Sequence, residues 1–164
     1  MSKIDEVLIA LRRVIRATDL HSKHLAKTVG LTSPQILLMQ AIQNHSDATI
    51  GKLASEISLS QATVTTIIDR LEKRNFLIRE RSQQDKRKVK LLLTDEGLAT
   101  LASAPTPLQE QFSNKFSKLE DWEQTLIISS LQRIATMMDA EDIDASPFLD
   151  VGTIDRQNLK PNSN

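Results

Sequence analysis

The chain is predicted to be mainly α-helical, with one two-stranded β-hairpin in its middle and long amphipathic helices at both ends. Three observations predict this. Apolar residues recur at three-and-four spacing through residues 3–29, and again at Leu126, Ile127, Leu131, Ile134 and Met138, which is the period of one helical face. Residues 49–75 hold two shorter helical patterns, TIGKLASEIS and SQATVTTIIDRLEKRN, joined by a tight turn at Ser58-Leu59-Ser60. In residues 78–93, Val89, Leu91 and Leu93 alternate with Lys88, Lys90 and Leu92 behind a polar tip, Ser82-Gln83-Gln84-Asp85-Lys86, which is the period of a strand leaving a turn. Helix, turn, helix and basic hairpin in that order make a winged helix-turn-helix.

Each element has a local reason. The first helix is expected over about residues 3–29, with Ile4, Val7, Leu8, Leu11, Val14, Ile15 and Thr18 on one face, Arg12, Arg13 and Arg16 on others, and Gly30 as its stop. Ser33 before Pro34 reads as an N-cap with proline at the first helical position. The second helix then takes residues 35–44 and buries Ile36, Leu37, Met39 or Gln40, and Ile42, ending in a turn at His45-Ser46-Asp47. Thr49 caps the third helix, whose Leu53, Ala54 and Ile57 face inward, and Leu59 is buried beneath the following turn. Ser60 caps the fourth, with Val64, Ile67, Ile68 and Leu71 inward, and Asn75 takes the left-handed position at its end that glycine often fills. Thr94-Asp95-Glu96 restarts helix with acids where the helix dipole favours them. Pro105 and Pro107 break that helix, which resumes through Phe112, Phe116 and Leu119. Ser117 and Glu120 have capping-box spacing for a last helix that carries Trp122. Beyond Asp139 the chain is acidic and contains Pro147 and Pro161, so a disordered tail is expected.

The expected organisation is therefore N-terminal helices at residues 3–44, a winged helix-turn-helix DNA-binding domain at 49–94, C-terminal dimerisation helices at 95–138, and an acidic tail at 139–164. The end helices carry more apolar face than the central module can cover. Ile4, Leu8, Leu11 and Ile15 at one end and Leu126, Leu131, Ile134 and Met138 at the other call for a symmetric partner, so a homodimer is expected.

Formal charge balances at 21 basic against 21 acidic residues, but the balance is uneven along the chain. Residues 70–90 hold nine basic side chains against three acidic ones, and residues 139–164 hold six acidic against two basic. A concentrated positive patch in a neutral protein points to a polyanion. With no cysteine, disulfides, thiolate nucleophiles and cysteine-ligated zinc are excluded. The N-terminus is amphipathic and interrupted by charges, unlike a secretory signal, and no apolar run reaches membrane-spanning length, so a cytoplasmic protein without membrane contact is expected.

Duplex DNA suits the central module. A helix that enters the major groove presents short polar side chains near its N-terminus. Here the face opposite Val64, Ile67, Ile68 and Leu71 shows Ala62, Thr65, Thr66, Asp69 and Lys73, flanked by Gln61 and Thr63. Gln61 suits adenine among several bonding partners, and the Thr65 and Thr66 methyls suit thymine. Ser60, Thr63 and Arg70 are better placed for phosphates. By itself such a helix is also an ordinary solvated surface. The hairpin decides between these, because Arg79, Arg81, Lys86, Arg87, Lys88 and Lys90 serve no core and repel one another unless an anion is near. Arginine at the tip fits a narrow minor groove, and Asp85 is close enough in sequence to orient Arg87.

On these residues the chain resembles the MarR family of bacterial transcription regulators. The resemblance rests on Leu31-Thr32-Ser33-Pro34-Gln35, Ile50-Gly51-Lys52-Leu53-Ala54, Ser60-Gln61-Ala62-Thr63-Val64-Thr65, Asp69-Arg70-Leu71-Glu72-Lys73-Arg74, and the wing motif Asp85-Lys86-Arg87 followed by Leu91-Leu92-Leu93-Thr94. It implies an interlocked homodimer that represses transcription from an inverted repeat, with recognition helices in successive major grooves and wing arginines in flanking minor grooves. Asn75 stands where the family often has glycine. A narrower resemblance, carried by residues 11–22 and the SQATVTTIIDRLE helix, is to regulators of ectoine and compatible-solute operons, and implies control of osmolyte genes. The family also implies a small anionic effector bound between the dimer helices and the DNA module, where Arg16, His24 and Met39 are the candidate lining residues.

Other signals are weaker. His21 and His24 sit three apart near Asp19, but a third ligand is lacking and no metal is expected. No nucleophile elbow, phosphate loop or paired-histidine metal helix is present, so neither an enzyme nor a cofactor is expected. The rival readings are a winged helix that binds an acidic protein partner, and a nonspecific chromosome-coating protein.

Overall fold

The computed structural model describes residues 1–81, 83, 85, 89–143, 145, 148 and 149. The expected tip positions Ser82, Gln84, Lys86, Arg87 and Lys88, and the tail positions 144, 146, 147 and 150–164, lie outside the described residues. The element order is α1 (Lys3–Val29), α2 (Ser33–Asn44), α3 (Ile50–Glu56), α4 (Gln61–Lys73), β1 (Leu77–Arg81), β2 (Val89–Leu93), α5 (Asp95–Ser103), α6 (Leu108–Phe116) and α7 (Asp121–Met137). Two compact units result, one containing Met1–Pro105 and the other spanning Thr106–Phe148. The division falls at Pro105, so α5 belongs with the winged module and not with α6 and α7.

In the first unit the core is built around α2, whose Ile36, Leu38, Met39, Ala41 and Ile42 are buried. Leu37, expected inward, is half-buried, and Leu38 takes its place. Leu25 and Leu31 close one side of this core, and Leu53, Val64, Ile68, Leu71, Leu77 and Leu91 close the others. Leu59 beneath the α3–α4 turn is only half-buried. The caps are mostly local. Ser2 and Asp5 form a capping box on α1, and the hydroxyls of Thr49, Ser60 and Thr94 accept the N–H of Lys52, Thr63 and Gly97. The α2 cap lies one residue before its expected place. Thr32 is the N-cap, its N–H donating to Gln35 Oε1 at 3.0 Å, while Ser33 is buried as the first helical residue with no bonding partner for its hydroxyl.

Among the described residues, three helices end on a non-glycine residue in the left-handed region, Ser58 (φ 56°), Asn75 (φ 59°) and Asp139 (φ 52°). Each end has the same pair of bonds, such as Phe76 N–H to the Leu71 carbonyl and Asn75 N–H to the Glu72 carbonyl after α4, which satisfy carbonyls that the helix leaves open. Asn75 thus takes the expected conformation. Antiparallel β1 and β2 follow at once, paired Leu77 to Leu93, Arg79 to Leu91 and Arg81 to Val89. The chain then returns to the end of α4. Thr94 N–H donates to the Phe76 carbonyl at 3.0 Å, and a Cβ placed on Gly97 would lie 2.0 Å from that same oxygen.

In the second unit α6 stacks Phe112 on Phe116, their ring centroids 5.4 Å apart. The cap of α7 is not at Ser117, which instead follows the last turn of α6. Glu120 caps it, its N–H taken by Glu123 at 3.0 Å. The apolar rows of α1 and α7 are uncovered in the single chain. Ile4 is 71% exposed, Ile15 62%, Leu126 58% and Met138 63%, with Leu8 and Leu131 also exposed, and Leu11 and Ile134 half-buried. No helix among the described residues is long and apolar enough to cross a membrane.

Candidate nucleic-acid interface

The helix-turn-helix is set by burial on one side of α4. Val64, Ile67, Ile68 and Leu71 are buried, which fixes the rotation of the helix. Gln61 and Ala62 are then exposed, Thr63, Thr65, Thr66 and Arg70 half-buried, and Lys73 exposed. The turn before α4 needs Ser58 in a left-handed conformation so that Leu59 N–H can reach the Ala54 carbonyl at 2.9 Å. Ser60 Oγ accepts Thr63 N–H at 3.1 Å and lies 2.8 Å from Thr63 Oγ1. That leaves the first turn of α4 facing outward with backbone N–H groups and small hydroxyls, a combination suited to a phosphate. The hydroxyls of Thr65 and Thr66 donate to the carbonyls of Gln61 and Ala62 at 2.8 and 3.1 Å.

The wing is braced to this helix by Arg79. It pairs with Leu91, whose side chain is buried, so both point to the inner face of the hairpin. From there the Arg79 guanidinium bonds Asp69 at 2.5 Å and also bonds Glu72, both on α4. The Asp69 hydrogen bond, more than the neighbouring Glu72 charge, raises its pKa further above the ordinary arginine value. Arg79 and Asp69 are thus held to each other while both stay partly exposed. Arg81, one pleat further out on the same face, is exposed, as is Asp85. On β2, Lys90 bonds Asp47 in the α2–α3 turn at 2.7 Å, and that carboxylate raises the lysine pKa. Lys86, Arg87 and Lys88, the other expected wing contacts, lie outside the described residues.

A second brace was not foreseen. Arg74 Nη1 donates to the Gly30 carbonyl at 2.6 Å, and its guanidinium sits 4.6 Å from the Phe76 ring centroid. It ties the end of α1 to the end of α4 across 44 residues of sequence, a separation to which no helical or strand periodicity extends.

The expected effector residues are not brought together. Met39 is fully buried in the α2 core. Arg16 is exposed and bonds Asp19 at 3.1 Å, while Lys23 bonds the same carboxylate at 2.9 Å. Lys23 first, then Arg16, holds the Asp19 carboxyl below its usual range. An open hollow beside Arg16 is bordered by Arg12, Arg13 and Leu20, and by neither His24 nor Met39. His24 Nδ1 lies 3.5 Å from the Thr28 hydroxyl. Among the described residues no group of three histidines, cysteines or carboxylates is placed to hold a metal ion.

Comparison with known proteins locates this arrangement. The profile of the MarR family matches residues 31–89, the span from just before α2 to the first residue of β2. The HTH-type transcriptional regulator SarZ of Staphylococcus epidermidis is 29% identical over 110 residues, 67% of this chain and 73% of that protein. The HTH-type transcriptional regulator YsmB of Bacillus subtilis, itself uncharacterised, is 25% identical over 134 residues, 82% of this chain and 92% of its own. Among solved structures, a MepR-like protein complexed with pseudoligands has a TM-score of 0.55 at 23% identity, covering 84% of this chain and 97% of the other. The PcaV transcriptional regulator of Streptomyces coelicolor, in complex with its natural ligand, has a TM-score of 0.53 at 24% identity, covering 79% and 91%. At these identities the structural likeness is one of fold.

Proposed function

Because the chain belongs to the MarR family of winged-helix transcription regulators, we propose that it acts as a homodimeric repressor on a pseudo-palindromic operator. DNA binding and transcription regulation come with the family, and the relatives are regulators, not enzymes. The observation that supports the finer reading is the division of α4 into two faces. One is buried, and the other offers Gln61, Ala62, Thr65, Thr66 and Lys73 beside a wing braced to the same helix. In this reading Ser60, Thr63 and Arg70 hold phosphates, Gln61, Ala62, Thr65 and Thr66 face bases, and Arg81, Asp85, Lys86, Arg87 and Lys88 form the groove-seeking edge of the wing. Dimerisation would cover Ile4, Leu8, Leu11 and Ile15 on α1 and Leu126, Leu131, Ile134 and Met138 beyond α6, all left open or half-open in one chain. The narrower likeness of residues 11–22 supports compatible-solute operons as targets. A small anionic effector would act near Arg16, without Met39.

Selection of bound fragments from genomic DNA tests the reading. The expected result is one inverted repeat upstream of a few operons, osmolyte genes among them. Arg87→Ala is expected to weaken binding to that site and to reduce the salt slope by about one unit. Equal affinity for selected and random duplexes would favour a coating protein. No affinity for any duplex would favour the acidic protein partner.

A further inference from the structure

We propose that α4 selects A·T pairs through thymine C5-methyl groups, with Thr65 and Thr66 acting by their methyls and not by their hydroxyls, beside a Gln61 carboxamide seated against Gly51. The proposal rests on the DNA-binding reading above and names what the helix reads.

A threonine hydroxyl has one proton to donate. In Thr65 it goes to the Gln61 carbonyl and in Thr66 to the Ala62 carbonyl. Guanine N7 and O6, adenine N7, thymine O4 and the phosphate oxygens are all acceptors. To bond any of them by donation, either hydroxyl must first leave its helix carbonyl. The other substituent on each Cβ is a methyl, and it carries no such tie. Ala62, Thr65 and Thr66 stand at helix spacings of three and four, so their methyls form one small apolar patch. From Ala62 to Thr66 the helix rises about 6 Å, close to two base-pair steps of about 3.4 Å. In the major groove the thymine methyl is the apolar feature that distinguishes one base from the rest.

Gln61 completes the surface. A Cβ on Gly51 would lie 3.1 Å from Gln61 Nε2 and 3.7 Å from its carboxamide carbon. The absence of a side chain on α3 therefore lets the carboxamide lie close against Gly51 at the head of α4. A carboxamide there matches the paired donor and acceptor, N6 and N7, of adenine. Methyl patch and carboxamide thus favour the two bases of the same pair.

The test replaces thymines of the selected operator by deoxyuridine, one position at a time, which removes only the C5 methyl. Binding is measured by fluorescence anisotropy with the full chain. One or two positions per half-site are expected to lose about fourfold in affinity for each methyl removed. Thr65→Val and Thr66→Val, which keep the methyl, are expected to bind within about twofold of wild type, whereas Thr65→Ser and Thr66→Ser should lose about fourfold on the thymine operator and nothing further on the deoxyuridine operator. Gly51→Ala is expected to change base preference at the pair that Gln61→Ala also changes. Sequence-selective binding that ignores deoxyuridine overturns this proposal and leaves the operator reading intact. Retained binding by the serine variants with loss in the valine variants also overturns it, by assigning the reading to the hydroxyls. Failure to bind any duplex removes both.

Discussion

Gly97→Ala tests the joint on which the wing and α5 are mounted. A Cβ at this position would lie 2.0 Å from the Phe76 oxygen, 2.9 Å from its carbonyl carbon and 3.2 Å from its Cα. Ordinary heavy-atom contact is about 3.5–4.0 Å, so more than 1 Å of separation must be opened, roughly, and the obstacle is backbone that cannot rotate aside. Phe76 sits where α4 hands over to β1, and Gly97 lies in the first turn of α5. Separating them strains three bonds: Thr94 N–H to the Phe76 carbonyl at 3.0 Å, Thr94 Oγ1 to the Asn75 carbonyl at 2.6 Å, and Gly97 N–H to Thr94 Oγ1 at 3.0 Å. Overpacking costs about 1–3 kcal/mol and each weakened bond up to about 1 kcal/mol. The better helix propensity of alanine returns about 1 kcal/mol. The expected net loss is about 2–3 kcal/mol, read as a lower urea midpoint at unchanged m-value and a melting point lower by roughly 5–10 °C. A variant as stable as wild type would mean that α5 does not pass against the Phe76 carbonyl, and the wing anchorage described above would have to be redrawn.

Other outcomes follow from the same geometry. Asn75→Ala forces a less tolerant residue to φ 59° and should cost about 1 kcal/mol in chemical denaturation, while Asn75→Gly should stay within about 0.5 kcal/mol of wild type. Ser58→Gly relieves the same conformation in the α3–α4 turn and should stabilise by about 0.5 kcal/mol; a destabilised variant would contradict the left-handed turn. Leu8→Glu and Leu126→Glu place charge on the open faces of α1 and α7, and sedimentation at micromolar concentration should show monomer for these variants and dimer for wild type; a monomeric wild type would refute the proposed dimer. Arg79→Met removes a partly exposed ion pair worth at most about 1 kcal/mol, so operator affinity should fall no more than about fivefold with the salt slope unchanged. A slope reduced by a full unit would place Arg79 on a phosphate.

What the sequence revealed, and what it hid, divides by range. The helices were legible because a one-sided apolar row is a local pattern, and Thr49 and Ser60 were legible as caps because each bonds an N–H three residues ahead. The α2 cap slipped by one because Thr32 and Ser33 are both competent caps, and the burial of Ser33 is a tertiary fact. The α7 cap slipped by three because the Ser117 spacing was correct, yet the chain spends Ser117 through Leu119 leaving α6. Met39 read both as a core position of the second helix and as an effector contact, and its full burial decides for the core. The braces made by Arg74, Arg79 and Lys90 join positions that no periodicity connects, so from sequence they read only as positive charge.

That last point changes what the basic stretch means. Nine cations in residues 70–90 suggest a surface made for an anion. Among the described ones, Arg74 is held by the Gly30 carbonyl, Arg79 by Asp69 and Glu72, and Lys90 by Asp47. Each joins a different pair of elements, α1 to α4, β1 to α4, and β2 to the α2–α3 turn. A cation satisfied in this way releases few counterions when DNA arrives, because its charge is already balanced. Such a cation braces the module instead, and Arg79 ties the wing to the same helix that carries Gln61, Thr65 and Thr66. Two probes at a fixed angle lose less conformational freedom on docking than two that must be aligned. The same residue type therefore serves two purposes within 21 positions, and position relative to the pleat separates them. Arg79 is paired with a buried leucine near the base of the hairpin and bonds the acids of α4, and Arg81 is one repeat further out and exposed.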